Sequence, residues 1–236
     1  MRIGFSTGAV ARGDFRLALE MLEPHKLYAI ELSALREHEL RPLLDAIDSV
    51  DLTAYRYISF HAPSQFSTAA EPRVVERLER VAARHWPIIA HPDVTRDVKA
   101  WRRLGSFLCF KNMDKRKPIG RTTAELELIF SRFPDARLCI DLGHAWQVDR
   151  TMSEARQIIR RFRDRILQIH VSEVNTSSEH VPLSLSTSNA FCKVLEYLPT
   201  EAPWIIESVV GSDAAIAREI QFVRHSFRRP QLIGAD

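Results

Sequence analysis

The chain has 236 residues, 45% of them hydrophobic and 27% charged, with a formal net charge of +3. This balance fits a globular protein with one large core and excludes collagenous and highly charged disordered chains. No apolar run approaches the roughly 20 residues of a membrane span, and Met1 to Ser6 lacks the basic start and long apolar stretch of a secretory signal. No membrane role and a cytoplasmic setting are therefore expected.

In chain order, eight short runs rich in β-branched and aromatic residues read as strands. They lie near Arg2 to Ser6, Leu27 to Ser33, Tyr57 to His61, Pro87 to His91, Phe107 to Asn112, Arg137 to Asp141, Ile166 to Ser172 and Trp204 to Ser208. Between them lie amphipathic stretches at helical spacing, such as Val74, Val75, Leu78, Val81 and Ala82, or Leu126, Ile129 and Phe130. Helix starts are signalled by Thr122 or Thr123 ahead of Glu125, and by Ser153 ahead of Ala155. Ala214 to Arg228, with Ile216, Ile220 and Val223 among charges, closes the series. Such alternation predicts a parallel sheet covered by helices. At this length it predicts an α/β fold, a single (β/α)8 TIM barrel domain over residues 1–236. The loops Ala62 to Glu71 and Glu173 to Ser188 are expected to border the pocket. Cys109, Cys139 and Cys192, odd in number and set in apolar segments, read as reduced core thiols.

Five of the strands finish on metal-ligand side chains: His61, His91, Asp141, His170 and Glu207. In a closed parallel barrel these ends meet at the C-terminal face, where such barrels keep their active sites. Asp141 is followed three residues later by His144, and His180 lies in the loop after the seventh strand. Asp141, His170 and Glu207 would face one another, His61 and His91 could form a second donor pair, and His180 could join His144. Nitrogen and oxygen donors without thiolates suit a divalent ion such as zinc, manganese or iron. One strand-end histidine alone reads as well as a core residue bonded to a carbonyl. The coincidence carries the argument: five of the nine histidines fall on one face, while His25, His38, His85 and His225 read as solvated.

The strings FHAP (Phe60 to Pro63), AHP (Ala90 to Pro92), DLGH (Asp141 to His144), QIHVSE (Gln168 to Glu173), EHVPL (Glu179 to Leu183) and IIES (Ile205 to Ser208) run in order over almost the whole chain. Together they resemble the xylose isomerase-like barrel superfamily, which includes endonuclease IV, the sugar isomerases and the sugar epimerases. The resemblance implies that His61 and His91 bind one metal, that Asp141, His170 and Glu207 bind another, and that His144 and His180 help to hold a third. Two positions depart from the pattern. Lys111 precedes Asn112 where a metal-binding Glu is expected, and Ser178 stands where the third site's acidic member is expected. An ammonium there repels a cation and donates no lone pair. A one-metal site on Asp141, His170, Glu207 and His144, a Lys111 acting in place of the metal, and an inactive site all stay open.

Lys115, Arg116 and Lys117 follow Lys111 in KNMDKRK and could attract phosphate, or could form a solvated loop. Arg12 and Arg36, after the first two strands, would add to the same positive rim. Glu31 could point into the pocket or pair with an interior Lys or Arg. Trp146 and Phe66 could stack on a sugar or base, or cap the core. Three functions follow. The first is a metal-assisted, endonuclease IV-like hydrolase acting on a phosphorylated or sugar-containing substrate, with nucleic acid as a possible partner, in which His61 or His91 positions the nucleophile. The second is a sugar isomerase or epimerase with Glu207 as base and Lys111 stabilising the enolate. The third is a binding protein without catalysis.

Overall fold

The computed structural model describes residues 1–228; residues 229–236, the end of the expected domain, lie outside the described residues. Eight strands, all paired in parallel, close into a barrel. They are β1 (Ile3–Ser6), β2 (Ala29–Ser33), β3 (Tyr57–His61), β4 (Ile88–Ala90), β5 (Leu108–Lys111), β6 (Arg137–Asp141), β7 (Ile166–Val171) and, after a short hairpin, β10 (Trp204–Ile206). The hairpin, β8 (Glu173–Val174) and β9 (His180–Val181), is antiparallel and forms part of the connection between β7 and β10. Every barrel strand lies where the sequence places it, with ends that differ by up to two residues, so that His91 and Glu207 sit just beyond their strands.

The helices are α1 (Thr7–Ala11), α2 (Phe15–Leu22), α3 (Glu37–Ala46), α4 (Glu71–Ala82), α5 (Val98–Arg102), α6 (Thr123–Arg132), α7 (Leu142–Val148), α8 (Ser153–Phe162), α9 (Leu185–Cys192) and α10 (Asp213–Ser226). They cover the strands with apolar faces such as Val74, Val75, Leu78 and Val81 of α4, all fully buried. Each such side chain contributes about 1.5–3 kcal/mol on leaving water. Aromatic rings fill the layer between sheet and helices, with Phe110 and Phe133 4.9 Å apart and Phe130 and Phe162 also 4.9 Å apart.

Three expectations change in detail. Thr122 does cap α6, accepting from the Glu125 amide, but α8 begins at Ser153 itself and its Glu154 amide bonds Asp149 Oδ2. Cys109 and Cys139 are buried as expected, whereas Cys192, on the last turn of α9, is exposed. His25 is half-buried rather than solvated, with Nε2 3.0 Å from Asp213 Oδ1.

Buried carboxylates fasten the ends of helices. Glu71, first residue of α4 and 2% exposed, accepts from the Arg96 amide at 2.6 Å, the Asp97 amide at 3.0 Å and Trp101 Nε1 at 2.8 Å. It ties the loop after β4 to α4 and α5. Glu219 of α10 does the same for the segment after β9, accepting from the Leu183 amide and from Ser208 Oγ.

Candidate active site

A parallel strand buried on both faces should be apolar throughout, yet β2 carries Glu31, β5 ends on Lys111, β6 ends on Asp141 and β7 carries Gln168 and His170, all buried. The period of two sends Gln168 and His170 to the same face. Their side chains meet inside the barrel. Gln168 Nε2 donates to Glu31 Oε2 at 2.7 Å, its Oε1 accepts from Tyr57 Oη at 2.8 Å, and His170 Nε2 lies 2.8 Å from the same Glu31 oxygen.

From this base the cluster rises toward the C-terminal mouth. His170 Nδ1 lies 2.9 Å from Glu207 Oε2, too bent for a hydrogen bond but close as an ion contact. Lys111 is 2% exposed; its Nζ lies 3.2 Å and 3.5 Å from the two Glu207 oxygens and 3.5 Å from Asp141 Oδ2. Lys111 therefore points inward and bridges two carboxylates contributed by different strands. Glu31 pairs with a histidine, not with an interior Lys or Arg.

These contacts set the charges. Burial opposes the Lys111 ammonium, but Glu207 and Asp141 outweigh it and hold its pKa above the ordinary lysine value. Burial also opposes a charged His170 ring, and Cys139, Glu207 and Glu31 around it raise its pKa well above that of a free histidine. Glu207 is driven well below the usual carboxylate range, burial notwithstanding, by His170 and Lys111. Asp141 goes the other way: burial raises it, and the nearby Glu207 adds to the rise against the pull of Lys111. With all five ionised, three carboxylates meet two cations, and one negative charge is left over. It falls at Asp141, whose Oδ2 is buried without a hydrogen-bond partner.

Asp141 is placed by its surroundings on both sides. Asn112 bonds the Asp141 backbone twice, Oδ1 accepting from its amide at 2.6 Å and Nδ2 donating to its carbonyl at 2.9 Å. Asp141 Oδ1 accepts from the His144 amide and so caps α7. The chain passes from β6 into α7 without a loop, and Gly143 makes this possible, since a Cβ there would lie 2.5 Å from the Ser172 carbonyl oxygen.

The five histidines named from the sequence do gather here. His61 and His91 stand edge to face at 5.2 Å, and His61 stacks over His170 at 6.4 Å. His61 Nδ1 donates to the Ala62 carbonyl, and His91 is half-buried, with both ring nitrogens buried and neither bonded. Burial, reinforced by Lys111, lowers the pKa of both rings. His144 donates through Nδ1 to the Asn112 carbonyl at 2.9 Å and faces His180 at 5.2 Å, while His180 Nδ1 bonds Ser172 Oγ. Burial and Lys111 lower His144 to about 3, and burial lowers His180 to about 4 with Lys111 helping and Glu207 opposing, so both rings are neutral at pH 7.

The donors divide unequally toward a metal ion. Asp141 and Glu207 do not fit one between them, because the Lys111 ammonium already bridges their oxygens. Asp141, His144 and His180 fit better: their ligand atoms lie within 4.8 Å of one another, both rings are neutral, and Asp141 Oδ2 accepts no hydrogen bond, although the Lys111 ammonium lies 3.5 Å from it. A second group of donors, Glu31, His170 and Glu207, is equally close, but it is already neutralised by the His170 ring.

The positive rim is largely engaged elsewhere. Lys117 pairs with Asp93 at 2.8 Å, Arg116 lies against Asp114 and donates to the Ser178 carbonyl, and Lys115 is exposed. Arg12 and Arg36 instead line a cleft of about 520 Å³ together with Gly8, Glu179 and His180. Ser178, at the position where an acid was expected, donates to Asp114 Oδ1 at 2.9 Å. Trp146 lies half-buried beneath the Arg150 guanidinium, and Phe66 packs on the core. Two polar residues of the cluster, Gln168 and the buried Asp114, were not singled out from the sequence. Gln168 signals itself by standing two residues before His170 in an otherwise apolar strand, whereas Asp114 is masked by the four basic residues around it.

No protein-family model matches the chain, and no curated protein sequence matches it. Solved structures do. The 3-keto-D-glucoside 4-epimerase YcjR of E. coli superposes with a TM-score of 0.56 at 14% identity, over 94% of this chain and 99% of that one. A sugar phosphate isomerase/epimerase of Anabaena variabilis, itself described as putative, gives 0.58 at 13%, over 99% and 91%. SacUVDE gives 0.58 at 13%, over 95% and 98%. The likeness is one of architecture along the entire barrel, and it shows the fold, a (β/α)8 barrel closed by eight parallel strands.

Proposed function

We propose that the protein is an enzyme that moves a proton next to the carbonyl of a small sugar, as an isomerase or epimerase does. The observation that carries this reading is the buried Lys111 ammonium set between Glu207 and Asp141, at 3.2 Å and 3.5 Å. Proton abstraction beside a carbonyl needs a base, a group that stabilises the enolate oxygen, and an acid that returns the proton. Two carboxylates whose pKa values are pushed apart make an acid and base pair. Glu207, ionised, is the base; Asp141, with its raised pKa, is the acid; and Lys111 lies between them as the permanent positive charge.

Two cations weaken Glu207 as a base in the resting site. A substrate carbonyl oxygen that accepts from Lys111 Nζ draws one of them away and restores basicity at the moment it is needed. Glu207 then takes the proton from the neighbouring carbon, the electron pair of that C–H bond moves into the new C–C double bond, and the carbonyl oxygen becomes an enolate held by Lys111. Reprotonation of the enolate completes the reaction. The two named sugar-acting structures of the same fold agree with this class of substrate. The test is deuterium uptake from D2O into a panel of aldoses, ketoses and keto-sugars, followed by NMR. Exchange that disappears in Glu207→Gln and Lys111→Met supports the reading, and no exchange on any sugar ends it.

A second reading, metal-assisted hydrolysis of a phosphate ester with nucleic acid among the substrates, is favoured by one observation. Asp141 Oδ2 accepts no hydrogen bond and lies with two neutral imidazoles, His144 and His180, in a group whose ligand atoms are within 4.8 Å of one another, with the Lys111 ammonium 3.5 Å from Oδ2. A zinc, manganese or iron ion held there would supply a Lewis acid and a bound water of lowered pKa. Elemental analysis of protein purified without chelator, together with a phosphodiesterase assay, decides it. A stoichiometric ion with hydrolysis selects this reading over proton transfer.

A further inference from the structure

The cleft lined by Arg12 and Arg36 opens beside the cluster, and His180 belongs to both: it lines the cleft, and its Nδ1 lies 3.8 Å from Glu207 Oε2. Arg12 ends α1 in the left-handed region, at φ 45° and ψ 47°, and Gly13 follows at φ 107°. Glycine is the residue that adopts such a backbone without strain, so an arginine there is held against local preference. Strain of this kind gathers at ligand sites. The Arg12 guanidinium has no hydrogen-bond or ion-pair partner among the described residues, and none of its five N–H donors is engaged. Arg36 is fixed through Nη1 by Glu39 at 2.7 Å, which leaves its Nε and Nη2 unengaged. Glu179 also lines the cleft, with its carboxylate accepting from Asn175 Nδ2 at 2.9 Å, and the lining charge stays positive.

Building on the proton-transfer reading, we infer that the sugar substrate carries a phosphate group, seated in this cleft by Arg12 and Arg36, with its carbonyl end directed past His180 to Lys111. Guanidinium forks match the oxygens of a phosphate and bind it through charge-assisted hydrogen bonds. The basic run after β5 is a weaker seat, since Arg116 and Lys117 already contact Asp114 and Asp93. Anchoring the remote end would let binding energy position the reacting carbons.

The experiment titrates inorganic phosphate into the native protein and into Arg12→Gly and Lys115→Ala variants, by calorimetry at constant ionic strength, with acetate as the competing anion. Arg12→Gly removes the guanidinium and relaxes the backbone. The expected variant therefore unfolds at the same or a higher temperature while binding phosphate at least about ten-fold more weakly; Lys115→Ala binds as the native protein does. Native protein that takes up no phosphate, Arg12→Gly that binds as tightly as native, or a loss confined to Lys115→Ala overturns the assignment. Acetate bound as well as phosphate overturns the choice of phosphate and points to a sugar acid. None of these outcomes depends on turnover, so the deuterium exchange that tests Glu207 and Lys111 stands or fails separately.

Discussion

Replacing Lys111 by methionine would leave Glu31, Asp141 and Glu207 facing the single cation of His170, all of them buried. Removing one member of a buried ion pair typically costs about 3–5 kcal/mol, and a loss of this size is expected in chemical denaturation of Lys111→Met. Lys111→Glu adds a further carboxylate where the ammonium stood. We expect it to be less stable than native in the presence of chelator and to gain thermal stability when zinc is added, while the native protein gains less. Gly143→Ala is a different kind of change, since its Cβ would meet the Ser172 carbonyl and Val174. The strand-to-helix passage would have to open there and shift Asp141. The identity of Lys111 was plain in the sequence as a departure from pattern, but its contacts were not. Alternation along a strand says which face a side chain takes, not which two carboxylates it reaches. For the same reason Glu31 read as a possible partner of Lys or Arg and found His170 instead.

Among the elements, the α4–α5 corner rests on one carboxylate. Glu71→Ala would leave the Arg96 amide, the Asp97 amide and the Trp101 indole without their acceptor. Each buried donor so orphaned costs about 1–3 kcal/mol, so a loss of about 3 kcal/mol or more is expected, measured as a lowered urea midpoint. Faster proteolysis of the loop between His91 and Asp97 should accompany it. The sequence placed Glu71 at the end of a loop, although it opens a helix. Its role could not be read because its donors lie 25 to 30 residues away. The barrel strands were legible because each is a short β-branched run followed by a helical period. The β8–β9 hairpin was not: two residues per strand carry no periodicity, and its pairing depends on how the β7–β10 connection folds back.

At the scale of the molecule, parallel closure turned scattered sequence positions into one site. Five histidines separated by up to 119 positions share the barrel mouth because every barrel strand runs the same way. Four of them, His61, His91, His144 and His180, are held neutral with lowered pKa values. In the unfolded chain each would take a proton near pH 6.5. Their contribution to stability is therefore complete above that pH and is lost as pH falls toward about 4 for His180 and about 3 for His144. Each group adds a slope of up to about 1.4 kcal/mol per pH unit within its window. His170 has the opposite sign: its raised pKa gives stability that is whole below pH 6.5 and is lost as pH rises through the folded value. The denaturation midpoint should thus fall steeply between pH 6.5 and 4, and His180→Gln should flatten that fall.

The pairing of Lys111 with Glu207 and Asp141 also bears on covalent chemistry. A lysine in a barrel mouth could condense with a sugar carbonyl to form an imine, but the attacking amine must first lose its proton. Here the pKa is raised, and the lone pair an imine requires is committed to an N–H bond at every physiological pH. Borohydride added during turnover should therefore trap no adduct on Lys111, and mass spectrometry of the treated protein should return the unmodified chain.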